Sequence, residues 1–111
     1  MAPMGDNLGD FEQLVMLAVM RLDDEAYGTS IRDELKTRAE REVSPGAIFT
    51  TLERLESRGL VTSRYGEPSA ERGGRSKRFY RLSPDGRRTL GKAVRTVRRM
   101  VQGLELKLER S

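Results

Sequence analysis

Residues 43–83 constrain the fold of this chain more than any other stretch. Ser44-Pro45 is typical of a helix start, because the serine hydroxyl can cap the first turn and proline fits the first helical position. Ile48, Leu52 and Leu55 follow at helical spacing and predict a buried face. Gly59 is a typical residue just past a helix end. The stretch therefore opens with a helix of about a dozen residues.

A β-hairpin is predicted to follow this helix. Leu60–Tyr65 and Lys77–Leu82 have strand character, and Gly66–Gly74 between them is rich in glycine and charge. We call the two strands with their loop the wing. A helix followed by such a hairpin is the outline of a winged helix-turn-helix, which places a helix N-terminus and a cationic hairpin on one side of a small domain.

Three further helices are predicted around this unit. The first begins at Asp10, where Gln13 has capping-box spacing, and the second is capped by Gly28 or Thr29 and runs to about Arg41. Ser83-Pro84 repeats the helix-start signal and opens a last helix that runs to near the C-terminus. The predicted fold is mainly α with a small β-hairpin. The predicted organisation is a flexible leader (1–9), a winged helix-turn-helix domain (10–83) and a C-terminal dimerisation helix (84–111).

Composition narrows the classes of function. The 111 residues include neither histidine nor cysteine, which removes the commonest general base, the commonest metal ligand and any thiolate site. We therefore expect a protein that is not an enzyme and needs no cofactor or metal. No apolar run is long enough to span a bilayer, and the N-terminus lacks a basic signal-peptide region, so we expect no membrane association and a cytoplasmic location.

Charge is distributed unevenly along the chain. Residues 1–60 carry 7 Lys/Arg and 12 Asp/Glu (−5), residues 61–83 carry 6 and 2 (+4), and residues 84–111 carry 8 and 3 (+5), which gives the net +4. Positive potential therefore belongs to the wing and the last helix, and a basic surface of this kind suits a polyanion such as double-stranded DNA. A solvated Arg-rich face is the alternative for any one charge run.

Candidate DNA contacts lie on the helix that begins at Ser44. If Ile48, Leu52 and Leu55 face the core, small polar residues near the N-terminus face outward, where they can approach a major-groove floor. The N-terminal N–H groups and the basic flank suit phosphates. In the wing, cations beside Gly73 and Gly74 suit the DNA backbone or minor groove. The predicted DNA-binding residues are Ser44, Gly46, Ala47, Phe49, Thr50, Thr51, Arg54, Arg72, Arg75, Lys77 and Arg78.

The last helix carries a heptad-like apolar stripe with spacings of 4, 3, 4, 3 and 4 residues. This pattern predicts pairing with a second copy of the chain, helped by the first helix, and packing on the chain's own first helix is the alternative. The predicted dimerisation residues are Leu90, Val94, Val97, Val101, Leu104 and Leu108.

The complete order of elements resembles the PadR family of bacterial transcriptional regulators. The resemblance rests on Tyr27-Gly28, on residues 44–49 (SPGAIF), on 52–56 (LERLE) with 59–61 (GLV), on 74–82 (GRSKRFYRL) and on 83–86 (SPDG). It implies a dimeric winged-helix repressor on a pseudo-palindromic operator, of the subgroup with a single C-terminal helix. Phe49 stands where the family usually has tyrosine.

Two questions stay open at this stage. A small-molecule effector could occupy a cavity at the dimer interface, although the chain has no tryptophan for stacking a flat drug and the residues favour a dry dimer core. A winged-helix module that binds protein without specific DNA binding is the alternative function, because residues 1–60 are net acidic. A small carboxylate-dependent hydrolase is a more distant alternative.

Overall fold

A computed structural model describes residues 7–68 and 76–110 of the chain. Three helices pack together, a two-stranded antiparallel hairpin closes one side, and a long helix returns across the first helix. The predicted fold, mainly helical with a small hairpin, is confirmed. The elements are α1 (Asp10–Leu22), a 3₁₀ turn (Asp23–Glu25), α2 (Gly28–Ala39), α3 (Pro45–Ser57), β1 (Val61–Pro68), β2 (Ser76–Leu82), α4 (Pro84–Val101) and α5 (Glu105–Glu109).

The core forms where α1, α2, α3 and the hairpin meet. Its side chains come from the apolar face of each element, as the spacing of these residues predicts. None of the helices in the described part of the chain is both long and apolar enough to cross a membrane. The largest fully buried side chains are Met16, Ile31, Ile48, Leu52, Leu55, Val15, Val19 and Val61.

Local chemistry fixes both ends of α3. The Ser44 hydroxyl accepts a hydrogen bond from the Ala47 N–H at 3.1 Å, with proline in the first turn, as the Ser-Pro signal predicts. At the other end Gly59 has φ of +75°, the left-handed conformation that suits glycine. The Leu60 N–H then bonds to the Leu55 carbonyl at 2.9 Å, which satisfies an orphan carbonyl of the last turn.

The hairpin is held to α2 as well as within itself. β1 pairs with β2 from Val61 opposite Leu82 to Pro68 opposite Ser76, with an irregularity after Tyr65. The Tyr80 N–H donates to the Ala26 carbonyl at 2.8 Å, and Tyr27 forms an isolated bridge with Phe79. The segment before α2 therefore bridges to β2 and fixes that strand against the N-terminus of α2.

The start of α4 is docked on the exit from α3. The Ser83 hydroxyl donates to the Gly59 carbonyl at 2.6 Å and accepts from the Gly86 N–H at 2.9 Å. The Ser83 N–H donates to the Leu60 carbonyl at 3.0 Å. Gly86 is buried, and a Cβ there would overlap the Leu60 carbonyl oxygen. The second Ser-Pro signal thus caps a helix and also joins it to α3.

The two ends of the chain differ from the sequence-based prediction. In the leader, the Asn7 carbonyl accepts from Arg58 at 2.9 Å and Leu8 packs against the core, while residues 1–6 lie outside the described part. The last helix does not run to near the C-terminus. It ends at Val101, because Gly103 adopts φ of +89° and redirects the chain before α5.

Candidate nucleic-acid interface

The N-terminal half of α3 presents the outward surface that the sequence predicts. Burial of Ile48, Leu52 and Leu55 turns Gly46 and Thr50 to solvent and leaves Ala47 half-buried. Phe49 is 53% exposed, and Ser44 is exposed although its hydroxyl is engaged as the helix cap. Small side chains here leave room for close approach of a partner to the helix.

Thr51 is an exception, and its predicted role as a base contact is wrong. Its side chain lies in the core with only 4% exposure. Thr51 follows Ile48 by three residues and precedes Leu55 by four, so it shares their buried face. A hydroxyl on that face is not available to a partner.

The two arginines on the far flank of α3 have different surroundings. Arg54 is exposed and forms no ion pair with a described carboxylate. Arg58 instead reaches Glu12 at 3.4 Å and the Asn7 carbonyl at 2.9 Å, so it fastens the chain's N-terminal segment to the core. Only Arg54 of this pair is placed to meet an external anion.

The wing divides its cations between two tasks. Lys77 is half-buried and lies with Nζ 4.2 Å from the centroid of the Tyr27 ring, beside the N-terminus of α2. Arg78 pairs with Glu56 at 2.6 Å and Glu53 at 3.0 Å. The predicted phosphate contact at Arg78 therefore conflicts with its geometry, since its charge is already compensated within the chain. The predicted contacts Arg72 and Arg75 lie outside the described residues.

The electrostatics of Arg78 are those of a cation in an internal network. Burial alone would lower the pKa of its guanidinium, but Tyr80, Glu56 and Glu53 outweigh burial and raise that pKa above its ordinary value. Burial also raises the pKa of the Tyr80 phenol. The Ser63 hydroxyl completes the network, donating to Glu56 at 2.8 Å and accepting from Arg78 at 3.1 Å.

A groove of about 290 Å³ joins the N-termini of α2 and α3 to β2. It contains residues that the sequence-based prediction missed. Arg32 lines it, with Nε donating to the Val43 carbonyl at 2.7 Å, a contact that fixes the guanidinium across the α2–α3 connection. Thr29 lies one turn before Arg32 on the same helical face, and this i, i+3 pair was the available signal. The missed lining residues are Tyr27, Gly28, Thr29 and Arg32, which join Pro45, Phe49 and Lys77 of the predicted region.

The heptad-like stripe has two parts with different surroundings. Leu90 is buried in the chain's own core and Val94 packs partly against it, so the predicted dimer contact at Leu90 is wrong. Val97 is 53% exposed, and Val101 lines a groove with Gln13 of α1. Leu104 and Leu108 are exposed beyond the break after α4, so they do not continue its stripe.

The comparison with protein families is decisive. Residues 16–92 match the family described as "Transcriptional regulator PadR-like family", which is more than half of the chain. The chain belongs to this family. Because PadR-like proteins are transcriptional regulators, the assignment also supports the expectation of a protein that is not an enzyme.

Individual similar proteins agree with the assignment. Transcriptional regulator Rv3488 of Mycobacterium tuberculosis is 40% identical over 68 residues, which cover 61% of this chain and 59% of that protein. The crystal structure of a PadR family transcription regulator from Clostridium difficile R20291 superposes with a TM-score of 0.67 at 27% identity, covering 86% of this chain and 97% of the other.

A further solved structure shares the fold. Bacillus subtilis PadR in complex with operator DNA superposes with a TM-score of 0.62 at 17% identity, covering 76% of this chain and 47% of the other. The winged helix-turn-helix prediction is therefore confirmed on the level of the fold.

Proposed function

We propose that this PadR-like chain is a cytoplasmic homodimer that represses transcription by binding a pseudo-palindromic DNA operator. One observation carries the proposal: the N-terminus of α3 lines one groove together with Arg32 and Lys77, two cations that have no ion pair among the described residues. Arg54 is exposed farther along α3 and also has no ion pair with a described carboxylate. Helix N-termini attract phosphates through their free N–H groups. The small residues of α3 allow it to enter a major groove between such phosphate contacts.

The proposal separates base reading from backbone binding. Gly46, Ala47 and Thr50 are the residues we assign to base edges, and Phe49 supplies an apolar contact in the same groove. Arg32, Arg54 and Lys77 are assigned to phosphates, together with the predicted wing residues Arg72 and Arg75. Arg78 is assigned to the internal network. The operator complex of Bacillus subtilis PadR supports a DNA partner for the family fold.

The apolar surface of α1 and α4 supports the dimer. Leu17 and Met20 are exposed on α1, on the helical face that begins with Gln13, and this face borders the groove of Val97 and Val101. A second copy of the chain that covers this surface would fix the distance between two copies of α3, and thus the half-site spacing. The same groove is where an effector would have to compete with the partner subunit.

Selection from a pool of random duplexes tests the proposal. We expect an enriched site with two related half-sites, bound in preference to a scrambled duplex, with an affinity that falls steeply between two salt concentrations. A reporter with the selected site over its promoter should lose transcription when the protein is present. Equal and weak binding to every duplex would contradict the proposal and favour a protein-binding winged helix.

A further inference from the structure

α4 has a second surface that the proposed operator complex does not use. Arg88, Lys92, Arg95 and Arg99 follow each other at spacings of 4, 3 and 4 residues, and all four are exposed. At 100° per residue they lie within an arc of about 60° on the side opposite Val97 and Val101. We call these four residues the cationic stripe.

The stripe is unusual because three of its four charges, Lys92, Arg95 and Arg99, have no ion pair with a described carboxylate. Of the six cations on α4, only Arg88 pairs with a carboxylate of the described residues, Asp85. Residues 7–60 behave differently, since five of their seven cations are in ion pairs: Arg21, Lys36, Arg38, Arg41 and Arg58. The other two, Arg32 and Arg54, lie at the candidate nucleic-acid interface. In the part of the chain that the structure describes, cations without an ion pair therefore concentrate at that interface and on α4.

This concentration opposes the stability of the helix. Like charges three or four residues apart on a helix repel, and the stripe contains Arg88 with Lys92, Lys92 with Arg95, and Arg95 with Arg99 at those spacings. Among the described residues no carboxylate lies close enough to Lys92, Arg95 or Arg99 to form an ion pair. An external anion would relieve the repulsion.

The composition of the stripe indicates which anion fits. Protein interfaces contain an apolar centre, whereas no apolar side chain lies within the arc of the stripe. Interfaces with nucleic acid are more polar and more positive. Guanidinium groups match phosphate with paired hydrogen bonds, and three of the four residues are arginine. From residue 88 to residue 99 the helix rises about 16 Å, a length that follows several phosphates of one strand.

The position of the stripe separates it from the proposed operator contact. α4 starts on the C-terminal exit of α3, where Ser83 binds the Gly59 and Leu60 carbonyls. The candidate nucleic-acid interface is built on the N-terminus of α3. We propose that the cationic stripe binds a second duplex DNA segment, without sequence preference, while α3 holds the operator. The proposal rests on the proposed function only for the first of the two duplexes.

A two-duplex capture experiment tests this proposal. The selected operator duplex is immobilised, the full-length protein is added, and a labelled duplex of random sequence is offered. We expect the wild type to retain the labelled duplex. A variant with Lys92→Gln, Arg95→Gln and Arg99→Gln should keep its operator affinity but lose most of the capture, and the salt slope of capture should fall by about 0.9 for each phosphate contact removed.

The matched control removes the same charge elsewhere. Arg21→Gln, Lys36→Gln and Arg38→Gln delete three exposed cations of α1 and α2, and this variant should capture the second duplex like the wild type. Equal capture by the stripe variant would overturn the proposal, as would a wild type that binds the operator but retains no second duplex. Displacement of the captured duplex by polyglutamate at concentrations where random DNA has no effect would also overturn it, in favour of an acidic protein.

The outcome for the stripe can be separated from that for the operator. If selection finds no preferred site, the random duplex is immobilised instead and a second one is offered. Loss of capture only in the stripe variant would then support the stripe although the proposed operator contact had failed.

Discussion

The Arg78 guanidinium lies 2.6 Å from the Glu56 carboxylate, so β2 of the wing is tied by an ion pair to α3. Glu53, one turn earlier on α3, approaches the same guanidinium at 3.0 Å. These contacts set the position of the hairpin relative to the helix that we propose reads DNA. Arg78 would then act on DNA binding through the wing and not by touching a phosphate.

Arg78 could act on DNA binding by anchoring the wing or by touching a phosphate. Neutralising Glu53 and Glu56 distinguishes these two roles, because operator affinity should fall in the first case and rise in the second. We expect Glu53→Gln with Glu56→Gln to weaken operator binding although the protein loses two negative charges, because the wing loses its anchor. The free energy of unfolding should fall by about 1 kcal/mol, since the pairs are partly exposed. Titration with the operator and chemical denaturation measure both quantities. Glu25→Gln with Glu42→Gln makes the same charge change at exposed positions and should not weaken binding. Tighter operator binding by the first variant would mean that a released Arg78 contacts DNA.

Thr50 and Thr51 are neighbours whose substitution should have opposite consequences. Thr50→Ala removes an exposed hydroxyl, so we expect the affinity for the operator to fall more than the affinity for random duplexes. The stability of the protein should not change. Thr51→Ala removes a buried methyl group together with the hydroxyl and should cost about 1 kcal/mol of stability with the same sequence preference. Competition binding and denaturation separate them. A changed sequence preference only in the Thr51 variant would reverse the assignment.

Alanine substitutions at two glycines of α4, one at the junction with α3 and one away from it, test how closely the two helices approach. Gly86→Ala should lower the free energy of unfolding by about 1–3 kcal/mol, because its methyl group would overlap the Leu60 carbonyl. At Gly91 an added Cβ would meet only the mobile end of Arg95, so Gly91→Ala should stabilise the helix by about 0.4–1 kcal/mol. Denaturant titration gives both values. Equal stabilities of the two variants would show that the junction tolerates a side chain at position 86.

If the groove of Val97 and Val101 is the dimer contact, a charge placed in it should separate the subunits. Val97→Asp places a carboxylate in the middle of the proposed dimer surface and should yield monomers in sedimentation velocity. Thr96→Asp introduces the same charge one residue away, outside that surface, and should leave a dimer. Dimers of the Val97 variant at the same concentration would exclude this groove as the contact.

Tyr80 predicts how stability responds to alkaline pH. Burial raises the pKa of its phenol, against Arg78 and together with Glu53 and Glu56. A raised pKa in the folded state means that the phenol stabilises the fold below about pH 10, its value in the unfolded chain, and that this stabilisation is lost as the pH rises through the folded value. The melting temperature should therefore be constant from neutral pH upward and decline in the alkaline range. The melting temperature of Tyr80→Phe should decline less, and an identical decline would assign the loss of stability to other groups.

Local signals in the sequence predicted the elements that hold the candidate interface. Ser44-Pro45, Gly59 and Ser83-Pro84 determine helix ends through their own hydrogen bonds, so their positions could be read without knowing the rest of the fold. Helical spacing likewise identified the buried face of α3. These features depend on residues close in sequence.

Thr51 was a local error, because helical spacing already places it on the buried face of α3. The other errors concern residues whose surroundings or conformation the neighbouring sequence does not determine. Leu90 continues the stripe of Val97 by spacing, but the return of α4 over α1 buries it in the same subunit. Arg78 was assigned as a free cation because Glu53 and Glu56, more than twenty residues earlier, are brought to it only by the hairpin. Arg32 joined the interface because α2 packs beside α3. The break of α4 depended on the conformation of Gly103, which its residue type permits but does not require.

The hydrogen bonds of Ser83 make α3 and α4 one mechanical unit. If α4 carries the subunit contact, a tilt of one subunit relative to the other turns α3 as a lever whose pivot lies near Gly59. α3 is about 20 Å long, so a tilt of about 10° would displace its N-terminus by about 3 Å, close to the rise of one base pair. A small rearrangement between subunits would thus put two half-sites out of phase with the protein without any change in the residues that touch them.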